Sequence, residues 1–386
     1  MRNRVADHVQ RLQPSGIRRF FDLAANMEGV ISLGVGEPDF VTSWGVREAC
    51  IASLHNGYTS YTANAGLMEL RTEISKYMKK EFEVEYNPSS DIIVTVGASQ
   101  ALDLAIRAIV DPGDEVIVIE PSFVSYAPLI ELAGGTAVRV GADAENGFRI
   151  DFENLESAIT HKTKAILLCF PNNPTGTMLT RDELIQVSRL VDKYNLLVLS
   201  DEIYAELSFD GKFTSFSTLP NMKDRTILIS GFSKSFAMTG WRLGFVAGPT
   251  DIVEAMLKIH QYAMMCASTM AQYGAIEALK NGRQDIETMK KSYRRRRNYF
   301  VASLNEIGLP CHNPGGAFYA FPSVKLTGLT SQEFAEKLLL EEKVAVVPGD
   351  VFGESGEGYV RCSYASSLEQ LQEAIKRMER FVKQFR

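Results

Sequence analysis

Residues 230–244 read SGFSKSFAMTGWRLG, with Lys234 between Ser233 and Ser235 and Arg242 eight residues further on. The stretch continues the apolar run TILISGF (226–232), which has the length and composition of a strand. A lysine is ordinarily solvated. Lys234 instead follows directly on a strand end, where ligands bind in α/β sheets. Arg242, in GWRLG, is a fixed multi-donor cation suited to a phosphate. The segment is not a nucleotide-binding P-loop, because GFSKS lacks the GxxxxGK[ST] spacing.

Working outward, short apolar runs alternate with longer helical patterns. The expected strands are 91–97, 115–121, 136–141, 164–171, 196–202, 226–232 and 244–249. Between them lie amphipathic segments such as RDELIQVSRLVDKYN (181–195), with Thr180 placed to cap its start. Strands that are apolar throughout and separated by helices indicate an α/β fold, with a mostly parallel central sheet covered on both faces. After residue 250 the pattern changes. A helical stretch (251–280) precedes a second (about 284–306) that contains Arg294–Arg297. Then come GGAFYAFP (315–322), a helix near 330–342, AVVPG (345–349), YVRCSYA (359–365) and a last helix over 367–385. This reads as a smaller α+β domain. The expected division is an N-terminal arm that joins the small domain (1–45), a large domain (46–282) and a small C-terminal domain (283–386). The arginine run is read as a solvated helix face, with Ile286, Met289, Tyr293, Phe300 and Leu304 as the apolar side.

The chain has 386 residues, 45% hydrophobic and 23% charged, with net charge -6. Two domains are the natural expectation at this length, and the acidic balance argues against a nucleic-acid partner. The first residues are charged and lack the apolar core of a secretory signal. No apolar run approaches the ~20 residues of a membrane span. The five cysteines (Cys50, Cys169, Cys266, Cys311, Cys362) are scattered without a CxxC pair, as expected of a cytoplasmic protein. The histidines form no metal-ligand pattern, so no metal is expected.

Four further segments end strands with chemically useful residues. LSDEIYAEL (199–207) closes on Asp201 and Glu202, then Tyr204. Such a pair could hold a metal or cap a helix. It could also keep a pyridinium nitrogen protonated, which makes pyridoxal phosphate an electron sink, with Tyr204 bonding the cofactor's phenolic oxygen. CFPNNPTGTMLT (169–180) places Asn173 at a turn after a strand. TVGASQALDLAIRAI (95–109) runs a strand through Gly97 into a helix near Ser99, whose first N–H groups can hold a phosphate. EPSFVSY (120–126) offers Phe123 for stacking on a flat ring. Each segment alone has an ordinary explanation as a turn, a cap or a core residue. Five at successive strand ends, all suited to one cofactor, point to pyridoxal 5'-phosphate.

The combination NNPTG, SDEIY and FSKSFAMTGWRLG at these separations resembles the class I/II aminotransferases of pyridoxal-phosphate fold type I. The likeness is to the branch with aspartate, aromatic, kynurenine and N-acetyl-diaminopimelate aminotransferases, and within it to unassigned aminotransferases of Gram-positive bacilli. It spans nearly the whole chain, from SGIRRF (15–20) to YVRCSYA. The resemblance implies that Lys234 carries the cofactor as a Schiff base and that Asp201 pairs with the pyridine nitrogen. Asn173 and Tyr204 would bond the phenolic oxygen, and Phe123 would stack on the ring. Ala98, Ser99, Ser233 and Arg242 would hold the phosphate, while Gly231 stands where some members have a phosphate-binding serine. Tyr61 would reach the neighbouring subunit's phosphate, which implies a homodimer with shared active sites. Arg361 would clamp the substrate carboxylate, with Gly36 of LGVGEPDF as its backbone partner and Asn173 beside it. The activity implied is transfer of an amino group from an L-amino acid to a 2-oxo acid, 2-oxoglutarate, by a ping-pong mechanism. For the substrate side chain, Ile17, Arg18, Tyr126, Tyr262, Met264 and Met265 are candidate contacts.

The nearest alternative keeps the cofactor and changes the reaction to a β-lyase on cystathionine or cysteine conjugates, since the same lysine and aspartate serve both. A cofactor-binding transcription regulator would need a helix-turn-helix domain before the LGVGEPDF motif, where only about 30 residues stand. A dinucleotide oxidoreductase would need GxGxxG, which LGVGEPDF does not complete.

Overall fold

The computed structural model describes residues 4–12, 16 and 27–385. The strands are β1 (Ile31–Ser32), β2 (Ile92–Thr95), β3 (Glu115–Glu120), β4 (Thr136–Gly141), β5 (Thr163–Cys169), β6 (Leu197–Asp201), β7 (Thr226–Gly231), β8 (Gly244–Ala247), β9 (Tyr319–Ala320), β10 (Val344–Ala345), β11 (Val347–Pro348) and β12 (Val360–Ser363). Seven of them form one sheet in the order β2-β8-β7-β6-β5-β3-β4. All neighbours are parallel except β8, which runs antiparallel to both β2 and β7. All seven strands expected from the sequence are therefore present.

Alternation along a strand divides the core between the two faces. On β5, Ala165, Leu167 and Cys169 join one buried cluster with Leu102 and Ile106 of the helix Gly97–Ile109. Ile166 and Leu168 join the other, with Leu184, Val187 and Val191 of the helix Arg181–Lys193. Thr180 starts that helix with a capping box: its hydroxyl accepts from the Glu183 N–H, and the Glu183 carboxylate accepts from the Thr180 N–H.

The single helical stretch expected over 251–280 is two helices, Thr250–Ala263 and Thr269–Asn281. The N–H groups of Met264 and Met265 both donate to the His260 carbonyl, and Met265 adopts φ +66°. This left-handed residue ends the first helix without a glycine or proline to mark it. The next helix runs over Arg283–Glu306. Its apolar side is as expected and Arg294 and Arg295 are exposed, but the other two arginines of the run, Arg296 and Arg297, are drawn out of solvent. Arg297 is 3% exposed, in register with Tyr293, Phe300 and Leu304. It is paired with Asp210 and donates to the Pro314 carbonyl at 2.9 Å.

The C-terminal residues build a separate buried cluster around Phe300, Phe318, Phe334, Leu371 and Phe381. Leu33 packs into it, and β1 pairs in parallel with β10. β11, β12 and β9 form a three-stranded sheet, with Arg361 in the middle strand.

Thr180→Ala removes the cap and should lower stability by about 1 kcal/mol, read as a fall in the thermal midpoint, while cofactor binding is retained.

Candidate active site

Parallel strands place their carboxyl ends along one edge, and the site is built there. Gly97 follows β2, Phe123 follows β3, Asn173 follows β5, Asp201 ends β6, and Ser233 and Lys234 follow β7. Because β8 is reversed, its amino end lies at the same edge and brings Arg242 there. Arg361 arrives from β12 and Gly36 from the segment after β1. A cavity of about 460 Å³ is lined by Gly36, Ala98, Ser99, Phe123, Asn173, Asp201, Tyr204, Ser233, Lys234, Arg242 and Arg361. Of the residues expected to hold the cofactor or the substrate carboxylate, Tyr61 alone is not in this lining. It is 77% exposed on the surface.

Lys234 Nζ donates to the Gly36 carbonyl at 2.6 Å. Its pKa is lowered to about 8, chiefly because burial penalises the ammonium, with Arg361 and Arg242 adding to the effect and Glu37 and Asp201 opposing it. Asp201 is buried, and its pKa is raised to about 6 by that burial. Two hydrogen bonds hold its charged form, from the Tyr126 hydroxyl at 2.7 Å and from the Ile203 N–H at 3.2 Å. Tyr126 was expected near the substrate side chain. It does line the cavity, and its hydroxyl is on Asp201, where it orients the carboxylate.

Arg361 is 4% exposed. Its guanidinium donates to Asn173 Oδ1 at 2.9 Å and to the Gly34 carbonyl at 2.7 Å, and it lies over the rings of Tyr319 and Phe352. Its Nε has no partner, and no carboxylate pairs with it among the described residues. A buried cation left in that state calls for an anionic ligand.

The anion cradle at the other end of the cavity depends on two glycines. At Gly97 (φ +75°) a Cβ would lie 2.7 Å from an Arg242 Nη, and at Gly244 a Cβ would lie 2.6 Å from the Ala98 nitrogen. The helix Gly97–Ile109 opens on Val96, which has no side-chain cap to offer, so its first N–H groups and Arg242 converge on one spot. A phosphate cradle, an aromatic ring, a buried carboxylate and a buried amine in one cavity fit a phosphorylated pyridine aldehyde.

Three lining residues with polar side chains, Glu37, Thr239 and Tyr319, were not singled out by sequence. Tyr319 shares a hydrogen bond with Tyr204 between hydroxyls 2.8 Å apart, and Thr239 donates to Glu37 at 2.6 Å. Tyr319 lies in GGAFYAFP and Glu37 in LGVGEPDF, where each had been read only as part of a strand or turn. Ile17 and Arg18 lie outside the described residues. Tyr262, Met264 and Met265 are exposed and are not in the cavity lining.

The sequence profile of the family "Aminotransferase class I and II" matches residues 28–378. The chain belongs to this family. It is 64% identical over 382 residues, 99% of each chain, to YugH of Bacillus subtilis, a protein assigned as an aminotransferase without a stated substrate. It is 46% identical to the aspartate aminotransferase of Pyrococcus abyssi, with 98% of each chain covered. The crystal structure of an aromatic aminotransferase from Pyrococcus horikoshii superposes with a TM-score of 0.91 at 45% identity, over 95% of this chain and 99% of that one. As a class I and II aminotransferase, the chain is a transaminase of pyridoxal-phosphate fold type I and uses that cofactor.

Two outcomes follow. Gly244→Ala should force the helix start away from Arg242 and weaken cofactor binding about tenfold or more, measured by absorbance titration of the folded apoprotein. Only the neutral amine attacks an aldehyde. Lys234 should therefore capture the cofactor at a rate that rises with pH and levels off above about 8. A rate still climbing steadily to pH 10 would contradict the lowered pKa.

Proposed function

We propose that the aminotransferase moves the amino group of an L-amino acid to 2-oxoglutarate in two half-reactions at one site, with ping-pong kinetics. The observation that carries this reading is Arg361: a buried guanidinium that no carboxylate pairs with among the described residues, with an unbonded Nε, in the same cavity as a buried lysine amine. An α-amino acid supplies the matching pair, a carboxylate for the arginine and an amine for the reacting centre.

In this reading Lys234 attaches the cofactor, Asp201 faces its pyridine nitrogen, Phe123 stacks on its ring, and Asn173 and Tyr204 meet its phenolic oxygen. Ala98, Ser99, Ser233 and Arg242 take its phosphate. The bound cofactor supplies an electron sink for the pair left when a substrate proton departs. The remaining work belongs to the chain. Arg361 holds the substrate carboxylate, supported by the Gly34 carbonyl and by Asn173. Lys234 Nζ, with a pKa near 8, is neutral in a sizeable fraction at pH 7–8 and takes the Cα proton. Tyr126 keeps Asp201 ionised and aimed.

We also propose a homodimer. Exposed apolar side chains recur in Trp44–Met68 (Trp44, Ile51, Leu54, Tyr58, Tyr61, Met68) and in Tyr262–Met265, residue types that a subunit contact would cover. The exposed Tyr61 would then reach the partner's phosphate. Residues 46–282 as the cofactor domain, 283–386 with the arm 1–45 as the small domain, and a cytoplasmic location complete the reading. The free cysteines support the location.

A screen of amino donors against 2-oxoglutarate and pyruvate tests the reading. Transamination is expected with at least one acidic or aromatic donor. Pyruvate and ammonia released without an acceptor would favour the β-lyase instead. Lys234→Ala should fold and lose turnover, and Arg361→Lys should raise KM for the donor about 10–100-fold because the planar fork is lost. Normal transamination by Lys234→Ala would remove the lysine from the mechanism.

A further inference from the structure

The segment Gly34–Thr42 crosses the active site as a strap and touches both groups on which the proposed reaction depends. The Gly34 carbonyl accepts from Arg361 at 2.7 Å, and the Gly36 carbonyl accepts from Lys234 Nζ at 2.6 Å. The strap has little regular structure of its own to hold these carbonyls in place. It is pinned from outside. On one side, Glu37 accepts from Thr239 at 2.6 Å, and Thr42 donates to the Ala237 carbonyl at 2.6 Å and accepts from the Trp241 indole at 3.0 Å.

On the other side the pin is an ion pair to the helix Arg283–Glu306. Arg296 donates to both carboxylate oxygens of Asp39 at 2.8 Å, and the Tyr293 hydroxyl adds a bond at 3.3 Å. The Arg296 guanidinium lies 5.6 Å from the Phe40 ring centroid and 5.5 Å from that of Tyr293, and those two rings meet edge to face. The two charged side chains are only 15% and 28% exposed. Both contacts come from one Arg296 nitrogen, and a ring-flanked pair this sheltered from water holds its geometry better than a surface pair. Neither Asp39 nor Arg296 lines the cavity.

We infer that Asp39 and Arg296 are positioning residues for transamination: their ion pair fixes the strap so that its carbonyls orient the carboxylate-binding Arg361 and the amine of Lys234. The inference rests on the roles given above to those two residues. The groups around the Lys234 amine include Glu37, Arg361, Arg242 and Asp201, the Gly36 carbonyl, and the rings of Tyr204 and Phe318 at 6.0 and 5.9 Å. Asp39 neither lines the cavity nor bonds the lysine, and its connection to the site runs through the strap. A carbonyl acceptor favours the ammonium, so loosening the strap lowers the lysine pKa.

The test uses the holoenzyme with L-aspartate and with L-phenylalanine as donors, in wild type, Asp39→Asn, Arg296→Gln and the double variant. Each single variant should raise donor KM about tenfold. The acid limb of kcat, which reports deprotonation of the freed lysine, should move to lower pH by about half a unit. The double variant should be no worse than either single one, and Arg296→Lys should recover part of the loss. Cofactor capture by the full-length apoprotein, followed by absorbance across the same pH range, should show the same shift without turnover. A lowered thermal midpoint with KM, acid limb and capture profile all unmoved makes the pair merely structural and overturns the inference. If the wild type has no acid limb, the assignment of Lys234 as base falls first and the inference with it.

Discussion

Two cations, Lys234 and Arg361, are withdrawn from bulk water into one cavity, and no carboxylate bonds either of them among the described residues. An unpaired buried charge is costly, so each must be relieved. Lysine can shed its proton, and its pKa falls to about 8. Arginine cannot. Arg361 is therefore met by a carbonyl, an amide oxygen and two ring faces, none of which cancels its charge. The same burial thus makes one residue a reactive amine and the other a fixed anion receptor. Every other feature of the site supports one of these two outcomes.

The sheet makes that burial possible. Five chain segments deliver their functional residues to one edge because β2, β3, β5, β6 and β7 share a direction, and β8 joins them by being reversed. Asp201 and Cys169 sit opposite each other in the β5–β6 register, and Tyr126, the first residue of the helix Tyr126–Leu132 after β3, reaches both. A one-residue slip of β6 would turn Asp201 to the opposite face of the sheet. The hydrophobic alternation that fills the two cores also aims this carboxylate.

This edge is the part that was legible in the sequence. The strands are continuous apolar runs bounded by turns, and the site residues follow them directly in the chain. What was not legible depends on contacts distant in sequence. The reversal of β8 leaves no mark in GFVAGP. The break after Ala263 uses an ordinary residue, Met265, in a left-handed conformation. Arg297 reads as surface because its partner Asp210 lies 87 positions away. Tyr319 meets Tyr204 across 115 positions, and Arg296 meets Asp39 across 257. Local pattern reports which face of an element is apolar. It carries no information on which polar group will be waiting on the other side.

Gly231 shows how such a distant contact constrains a single position. Here Gly231 is paired with Gly244 across the antiparallel β7–β8 contact. A Cβ at Gly231 would lie 3.0 Å from the Gly244 Cα, 3.1 Å from the Leu243 carbonyl oxygen and 3.3 Å from Ile203 Cδ1. Two of those three neighbours are backbone, so the crowding would be relieved only by moving β8. But β8 starts at Gly244, and at that glycine a Cβ would lie 2.6 Å from the Ala98 nitrogen at the head of the phosphate-facing helix. A side chain at 231 would push on the strand that sets the distance between Arg242 and that helix. The close approach of β7 to β8 at Gly231 and the close approach of Arg242 to the helix are thus linked. The strand contact that would crowd a side chain at 231 is the one that holds the guanidinium over Gly97.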